Sequence, residues 1–147
     1  MSSKGSKKYL IVSNDGYARG YMTYNYFKKR LSDLGLSGKV KVEVAGLIPS
    51  KGLEPASLAV RTLKNHQIPQ NGFKVQTLSD QYLKSADVII ALSQENYNYL
   101  KHSYKNIPSK VRILMVSPII VNHEELYDRA LAKIQEGLEQ ELQSLKK

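Results

Sequence analysis

The stretch Tyr9-Leu-Ile-Val-Ser-Asn-Asp-Gly-Tyr-Ala-Arg-Gly20 joins a short apolar run and a polar turn to an amphipathic segment that continues to Leu34. This order predicts a buried β-strand that passes through a tight turn into an α-helix. At such a turn the free N–H groups of the helix N-terminus meet the positive end of the helix dipole, an arrangement that favours a bound anion. Ser13 and Arg19 enclose five residues of this turn.

The rest of the chain alternates between strand-like and helix-like segments. Strands are predicted at 9–12, 39–45, 87–92 and 111–116, with helices between them and a last helix from about Asn122. This alternation predicts one α/β domain with a four-stranded parallel sheet and helices on both faces. The alternating strand 39–45 is expected at the sheet edge. We assign 9–147 to the domain and the Ser/Lys/Gly-rich residues 1–8 to a flexible lead-in.

The site of such a sheet lies at the carboxyl ends of its strands. In this chain that rule points to the Ser13–Gly20 turn, the loop after the second strand, and Ser117-Pro118 after the fourth. We expect these three segments to line one crevice.

Composition narrows the possible chemistry. The chain has no cysteine, which excludes thiolate nucleophiles, thiolate metal sites and disulfides. The three histidines are scattered without metal-ligand spacing, so no metal or cofactor is expected. No apolar run approaches the length of a membrane span, and we expect a cytoplasmic protein with no membrane partner.

The net charge of +9 is unevenly distributed along the chain. Residues 1–73 carry twelve basic and four acidic residues, a balance of +8, whereas residues 74–147 carry ten and nine, a balance of +1. A basic face attracts nucleic acid or an acidic protein, but it also serves simply to keep a protein in solution.

Several motifs, taken in order, resemble the low-molecular-weight protein tyrosine phosphatases over about residues 8–145. That family begins with an apolar strand, a cysteine, five residues and Arg-Ser-Pro. The matching segments here are Ser13 to Gly20, Ala45-Gly46, Glu54-Pro55, Ala86 to Leu92 with Glu95-Asn96, and Val116-Ser117-Pro118. The resemblance implies the same α/β fold. Phosphotransfer subunits of sugar transporters have a similar layout, but they are shorter and also use a cysteine.

The resemblance also assigns roles, and several of the matched positions depart from the family. Ser13 stands at the catalytic cysteine, Ser117 at the general-acid aspartate, Gly20 at the serine that hydrogen-bonds the thiolate, and Ile119 and Ile120 at the aromatic clamp. Arg19, the phosphate clamp, is retained. The phosphate-binding turn corresponds to Ser13, Asn14, Asp15, Gly16, Tyr17, Ala18, Arg19 and Gly20.

These departures favour a catalytically inactive phosphatase-like domain that acts as a binding or regulatory module for a protein partner, with a phosphate or phosphoprotein site at the turn. One alternative is a genuine phosphatase whose cysteine has been replaced by Ser13. Another is a basic scaffold that binds nucleic acid or an acidic protein. A simple structural turn, in which Asp15 pairs with Arg19 and closes the pocket, also fits the sequence.

Overall fold

A computed structural model describes residues 7–14, 18–47, 54–70, 76–105, 107–108, 110–117, 119 and 123–145. Five parallel strands form one sheet in the order β3-β2-β1-β4-β5, and these are β1 (Lys7–Ser13), β2 (Val40–Gly46), β3 (Gln76–Thr77), β4 (Val88–Ala91) and β5 (Val111–Ile113). The helices are α1 (Arg19–Asp33), α2 (Ser57–Asn65), α3 (Asp80–Ser85), α4 (Gln94–Ser103) and α5 (Glu124–Leu145). In these described ranges no helix is long and apolar enough to cross a membrane.

Strand β1 is the centre of the sheet, and both of its faces are buried. Tyr9 and Ile11 pack into a cluster with residues of α1, α2 and α5, whereas Leu10 and Val12 pack into a second cluster with residues of α3 and α4. Because successive side chains of a strand point to opposite faces, one short apolar run supplies both cores. The predicted α/β fold with helices on both faces is therefore confirmed.

Two details of the predicted sheet are wrong. The sheet has five strands rather than four, because Gln76–Thr77 adds a two-residue strand that pairs with Ala45 and Gly46. Strand β2 is therefore not an edge strand, since it lies between β1 and β3. A two-residue strand is too short to show the periodicity from which strands are predicted.

The fourth predicted strand also ends early, at Ile113 instead of residue 116. Met115 has a φ of +61°, a left-handed conformation that a strand cannot contain. The regular strand therefore ends before Met115, although the Val116 N–H still donates to the Leu92 carbonyl at 2.7 Å.

Two glutamates of α5 tie this helix to the centre of the fold. Glu141 is 5% exposed; it accepts a hydrogen bond from the Tyr9 hydroxyl at 2.5 Å and one from Arg112 Nε at 2.7 Å. Burial, and after it the bond to Glu141, raises the pKa of the Tyr9 hydroxyl well above its usual value. Because a buried carboxylate needs partners, these two donors stabilise the packing of α5 on the sheet.

Two residues earlier, Glu139 makes the corresponding contacts to α1. It accepts from the Tyr26 hydroxyl at 2.6 Å and from Arg30 Nε at 2.6 Å. Burial and the bond to Glu139 raise the pKa of Tyr26 from 10.0 to about 12.

The substitution Tyr9→Phe tests the Glu141 network. It leaves a buried carboxylate oxygen facing an apolar ring, and we expect the free energy of unfolding to fall by about 1–3 kcal/mol. Tyr99→Phe is the matched control, since Tyr99 is exposed, and it should change stability little. Urea denaturation of both variants measures the difference, and equal stabilities would contradict a structural role for the network.

The raised pKa of Tyr26 predicts alkaline instability. A tyrosine with a higher pKa in the folded state holds its proton more tightly there than in the unfolded state. Its contribution to the free energy of unfolding is therefore present below pH 10.0 and is lost as the pH rises to about 12. In this window each such tyrosine lowers the free energy of unfolding by up to about 1.4 kcal/mol per pH unit. Denaturation of Tyr26→Phe across the same window should show a shallower pH dependence than the unaltered chain.

Candidate anion-binding site

The carboxyl ends of β1, β2, β4 and β5 meet where the sequence predicts a crevice. Backbone bonds run from Leu47 N–H to the Ser13 carbonyl at 2.9 Å, from Leu92 N–H to the Val12 carbonyl at 3.2 Å, and from Val116 N–H to the Leu92 carbonyl at 2.7 Å. The segments after β1, β2 and β5 therefore lie side by side at one edge of the sheet.

Ser13 is the last residue of β1, and its hydroxyl is buried without a partner. The residue is 2% exposed, and within the described part of the chain Ser13 Oγ has no hydrogen bond. A buried polar group without a partner is unfavourable unless something else binds it. The hydroxyl stands beside the start of α1, where backbone N–H groups are available for an anion.

Gly20 makes room for that hydroxyl. A Cβ atom at position 20 would lie 2.8 Å from Ser13 Oγ and 3.3 Å from Val44 Cγ1. The Ser13 hydroxyl therefore occupies space that a side chain at position 20 would need. Such a side chain would require the Ser13 hydroxyl to rotate away.

Arg19 is the first residue of α1, and its side chain is held in place. It is 5% exposed, and its Nη1 donates to the Val116 carbonyl at 2.7 Å. Thr23 Oγ1 donates to the Arg19 carbonyl at 2.8 Å, which fixes the first turn of the helix. The guanidinium thus connects the turn after β1 with the segment that leads to Ser117.

The first turn of α1 suits an anion electrostatically. Ala18, the residue before the helix, has no side-chain oxygen to cap the N–H groups, and the first turn contains no acidic residue. The positive end of the helix dipole is therefore balanced by no carboxylate of this turn.

Asn96 is a site residue that the sequence did not single out for a role. It is buried; its Nδ2 donates to Asn14 Oδ1 at 2.8 Å, and its backbone N–H donates to Ser93 Oγ, the N-cap of α4, at 3.2 Å. Its Oδ1 is buried without a partner among the described residues. Asn96, on α4, therefore holds Asn14 at the start of the turn. In the sequence, the only signal for this contact is the match of Glu95-Asn96 to the resembled family.

The remaining predicted site residues fall into two groups. Ser117 is exposed at the crevice, and Ile119 is half-buried beside it. Asp15, Gly16, Tyr17, Pro118 and Ile120 lie outside the described residues, so the pairing of Asp15 with Arg19 stays a prediction.

The described geometry is suited to binding an anion and poorly suited to activating Ser13. A serine hydroxyl needs an adjacent general base before it can attack phosphorus, and no histidine or carboxylate in the described ranges bonds to Ser13 Oγ. Ser117 cannot supply a proton as a carboxylic acid does. Within the same ranges, no three His, Asp or Glu side chains come together to hold a metal ion.

Comparisons with known proteins agree with this fold and place the chain in a family. Residues 8–147 match the model of the low molecular weight phosphotyrosine protein phosphatase family. The chain belongs to this family. No curated protein gives a significant sequence match.

Solved structures show the same fold. A YwlE mutant from Bacillus subtilis superposes with a TM-score of 0.86 at 22% identity, covering 97% of this chain and 100% of the other. A low molecular weight protein tyrosine phosphatase from T. tengcongensis gives 0.85 at 20% identity, covering 95% and 99%. A cysteine-to-serine mutant of the YwlE arginine phosphatase, with a phosphorylated active-site serine, gives 0.86 at 23% identity, covering 95% and 96%.

The contact between Gly20 and Ser13 predicts energetic coupling between these positions. Gly20→Ala forces Ser13 Oγ to rotate or Val44 to shift slightly, and the higher helix propensity of alanine offsets part of that cost, so we expect the free energy of unfolding to fall by no more than about 1 kcal/mol. In a Ser13→Ala background the nearest obstacle is gone, so the same substitution should cost at least about 0.5 kcal/mol less.

A double-mutant cycle measured by urea denaturation tests this coupling. Gly38→Ala is the matched control, because nothing lies within 4 Å of a Cβ at that position. Additive effects of the substitutions at 13 and 20 would contradict the proposed fit.

Proposed function

We propose that this protein is a catalytically inactive member of its family that binds the phosphate group of a phosphoprotein at the turn between β1 and α1. The observation that carries the proposal is the Ser13 hydroxyl, which is buried and without a partner at the first turn of a helix. A phosphate oxygen would accept the hydrogen bond that this hydroxyl does not make to any described residue.

The loss of catalysis follows from the residues at the reacting positions. Ser13 replaces a thiolate with a neutral hydroxyl, and a serine at position 117 replaces the proton donor for the leaving group. Gly20 lacks the hydroxyl that, in the resembled family, hydrogen-bonds the catalytic thiolate.

The same replacements favour binding of a dianion. A family member with a thiolate repels a phosphate dianion, whereas the hydroxyl of Ser13 carries no charge and can donate a hydrogen bond. Arg19 is already held by the Val116 carbonyl, so little side-chain freedom is lost when a phosphate meets its guanidinium. The serine mutant of YwlE with a phosphorylated active-site serine supports the view that a serine at this position leaves room for a phosphoryl group.

A second candidate function is phosphatase activity in a natural chain that has cysteine at position 13. Membership of a family described as phosphotyrosine protein phosphatases favours it. The codon for residue 13 in the source gene decides between the two, since a serine codon removes this candidate. Gly20, Ser117 and Ile119 count against it, because a single exchanged cysteine would leave those positions unchanged.

Calorimetric titration with inorganic phosphate tests the proposed site. We expect the unaltered chain to bind phosphate, and Arg19→Lys to bind it at least about tenfold more weakly because a bidentate contact is lost. Asp15→Asn should bind more tightly, since it removes a carboxylate from the turn. Arg61→Lys is the matched control on the exposed surface of α2 and should behave as the unaltered chain does.

Two results would contradict the proposal. Equal affinity of the unaltered chain and Arg19→Lys would show that phosphate binds elsewhere. Steady hydrolysis of phosphotyrosine by the unaltered chain would show that the protein is an enzyme.

A further inference from the structure

A groove opens next to the proposed phosphate site, between the segment after β5 and the first half of α5. Its volume is about 340 Å³, and it is lined by Met115, Val116, Ser117, Ile119, Leu126, Arg129, Ala130 and Lys133. Pockets that hold small ligands have volumes of about 300–1,000 Å³, so the groove is large enough for one or two side chains of a peptide.

The groove adjoins the proposed phosphate site through Val116 and Ser117. Val116, which lines the groove, accepts the hydrogen bond from Arg19 Nη1 at 2.7 Å, and the next residue is Ser117. A phosphorylated residue held at Arg19 would therefore place its neighbours in the peptide at the entrance to the groove.

Met115 is presented to solvent by an unusual backbone. Its φ of +61° is rare for a residue with a side chain, and the residue is 58% exposed although it is apolar. Left-handed conformations of residues other than glycine are unfavourable and occur preferentially at functional positions. Together with Ile119, Leu126 and Ala130, Met115 gives the groove an apolar lining.

The charges of the groove are basic. Arg129 and Lys133 stand one turn apart on α5, and their ion pairs with Glu125 at 3.1 Å and Glu136 at 3.5 Å lie on the surface. Arg129 is 71% exposed in its side chain. Because exposed pairs on one helix are weak, a carboxylate of a partner can replace them at small cost.

We infer that this groove binds the part of a phosphoprotein next to its phosphorylated residue, and that it selects an apolar side chain followed by an acidic one. The inference rests on the proposed phosphate site and adds to it the sequence preference of the partner. The apolar side chain packs against Met115, Ile119 and Leu126, while the acidic one pairs with Arg129 or Lys133.

Binding of synthetic phosphotyrosine peptides tests the inference. Two probes carry Leu-Glu, one on the amino side and one on the carboxyl side of the phosphotyrosine, and a third carries Ala-Ala at both places. Burial of the leucine side chain should contribute most of the difference in binding free energy between the probes. We therefore expect one Leu-Glu probe to bind at least about tenfold more tightly than the alanine probe.

Two substitutions in the groove should remove this preference without weakening the binding of inorganic phosphate. Met115→Gly removes the side chain and suits the positive φ, so the thermal stability should stay the same or rise while the preference is lost. Lys133→Glu should reduce the preference through charge repulsion. Lys64→Glu, an equal charge change at the exposed end of α2, is the control and should leave the preference intact.

The outcomes separate the groove from the phosphate site. Phosphate binding without preference between the Leu-Glu and alanine probes, or a preference that Met115→Gly and Lys133→Glu leave unchanged, overturns the inference and leaves the phosphate site standing. Failure of the unaltered chain to bind inorganic phosphate overturns the proposed function together with this inference.

Discussion

The fold depends on the burial of β1 from Tyr9 to Ser13. This strand lies between β2 and β4, and its side chains from Tyr9 to Ser13 are closed off on both faces of the sheet. A strand held in this way cannot slip or tilt, because a shift of one residue would exchange its two faces. Its last residue, Ser13, and the first turn of α1 are therefore fixed at the middle of the carboxyl edge, where neighbouring strands also end.

This constraint makes the scaffold independent of the side chain at position 13. The position of the turn is set by the packing of β1 and by the contacts that Glu139 and Glu141 make from α5. None of these contacts involves the side chain of Ser13, so replacing the nucleophile leaves the frame intact. Gly20 then accommodates the hydroxyl, and Arg19 stays anchored to Val116. What is left is a positively polarised turn that begins with the uncharged hydroxyl of Ser13.

Features that are local in sequence could be predicted, and features that depend on distant contacts could not. The strand–turn–helix order around Ser13 and the alternation of elements predicted the α/β fold and the edge at which the site lies. Strand β3 could not be predicted, because two residues are too few to show the periodicity of a strand. The early end of β5 depends on the φ of Met115, which the sequence does not reveal. The bond between Asn96 and Asn14 joins residues far apart in the chain. Glu141 is buried although its residue type suggests a surface position, since Tyr9 and Arg112 satisfy it.

We propose that a phosphate cradle survives around Ser13 although this residue does not act as a nucleophile. Turnover of p-nitrophenyl phosphate by Ser13→Cys, with the unaltered chain as control, tests it most directly. That substrate has a good leaving group, so the absence of an aspartate at position 117 should matter little. We expect clear turnover by Ser13→Cys and none by the unaltered chain. A folded Ser13→Cys variant without activity, or equal activity of the two proteins, would contradict it.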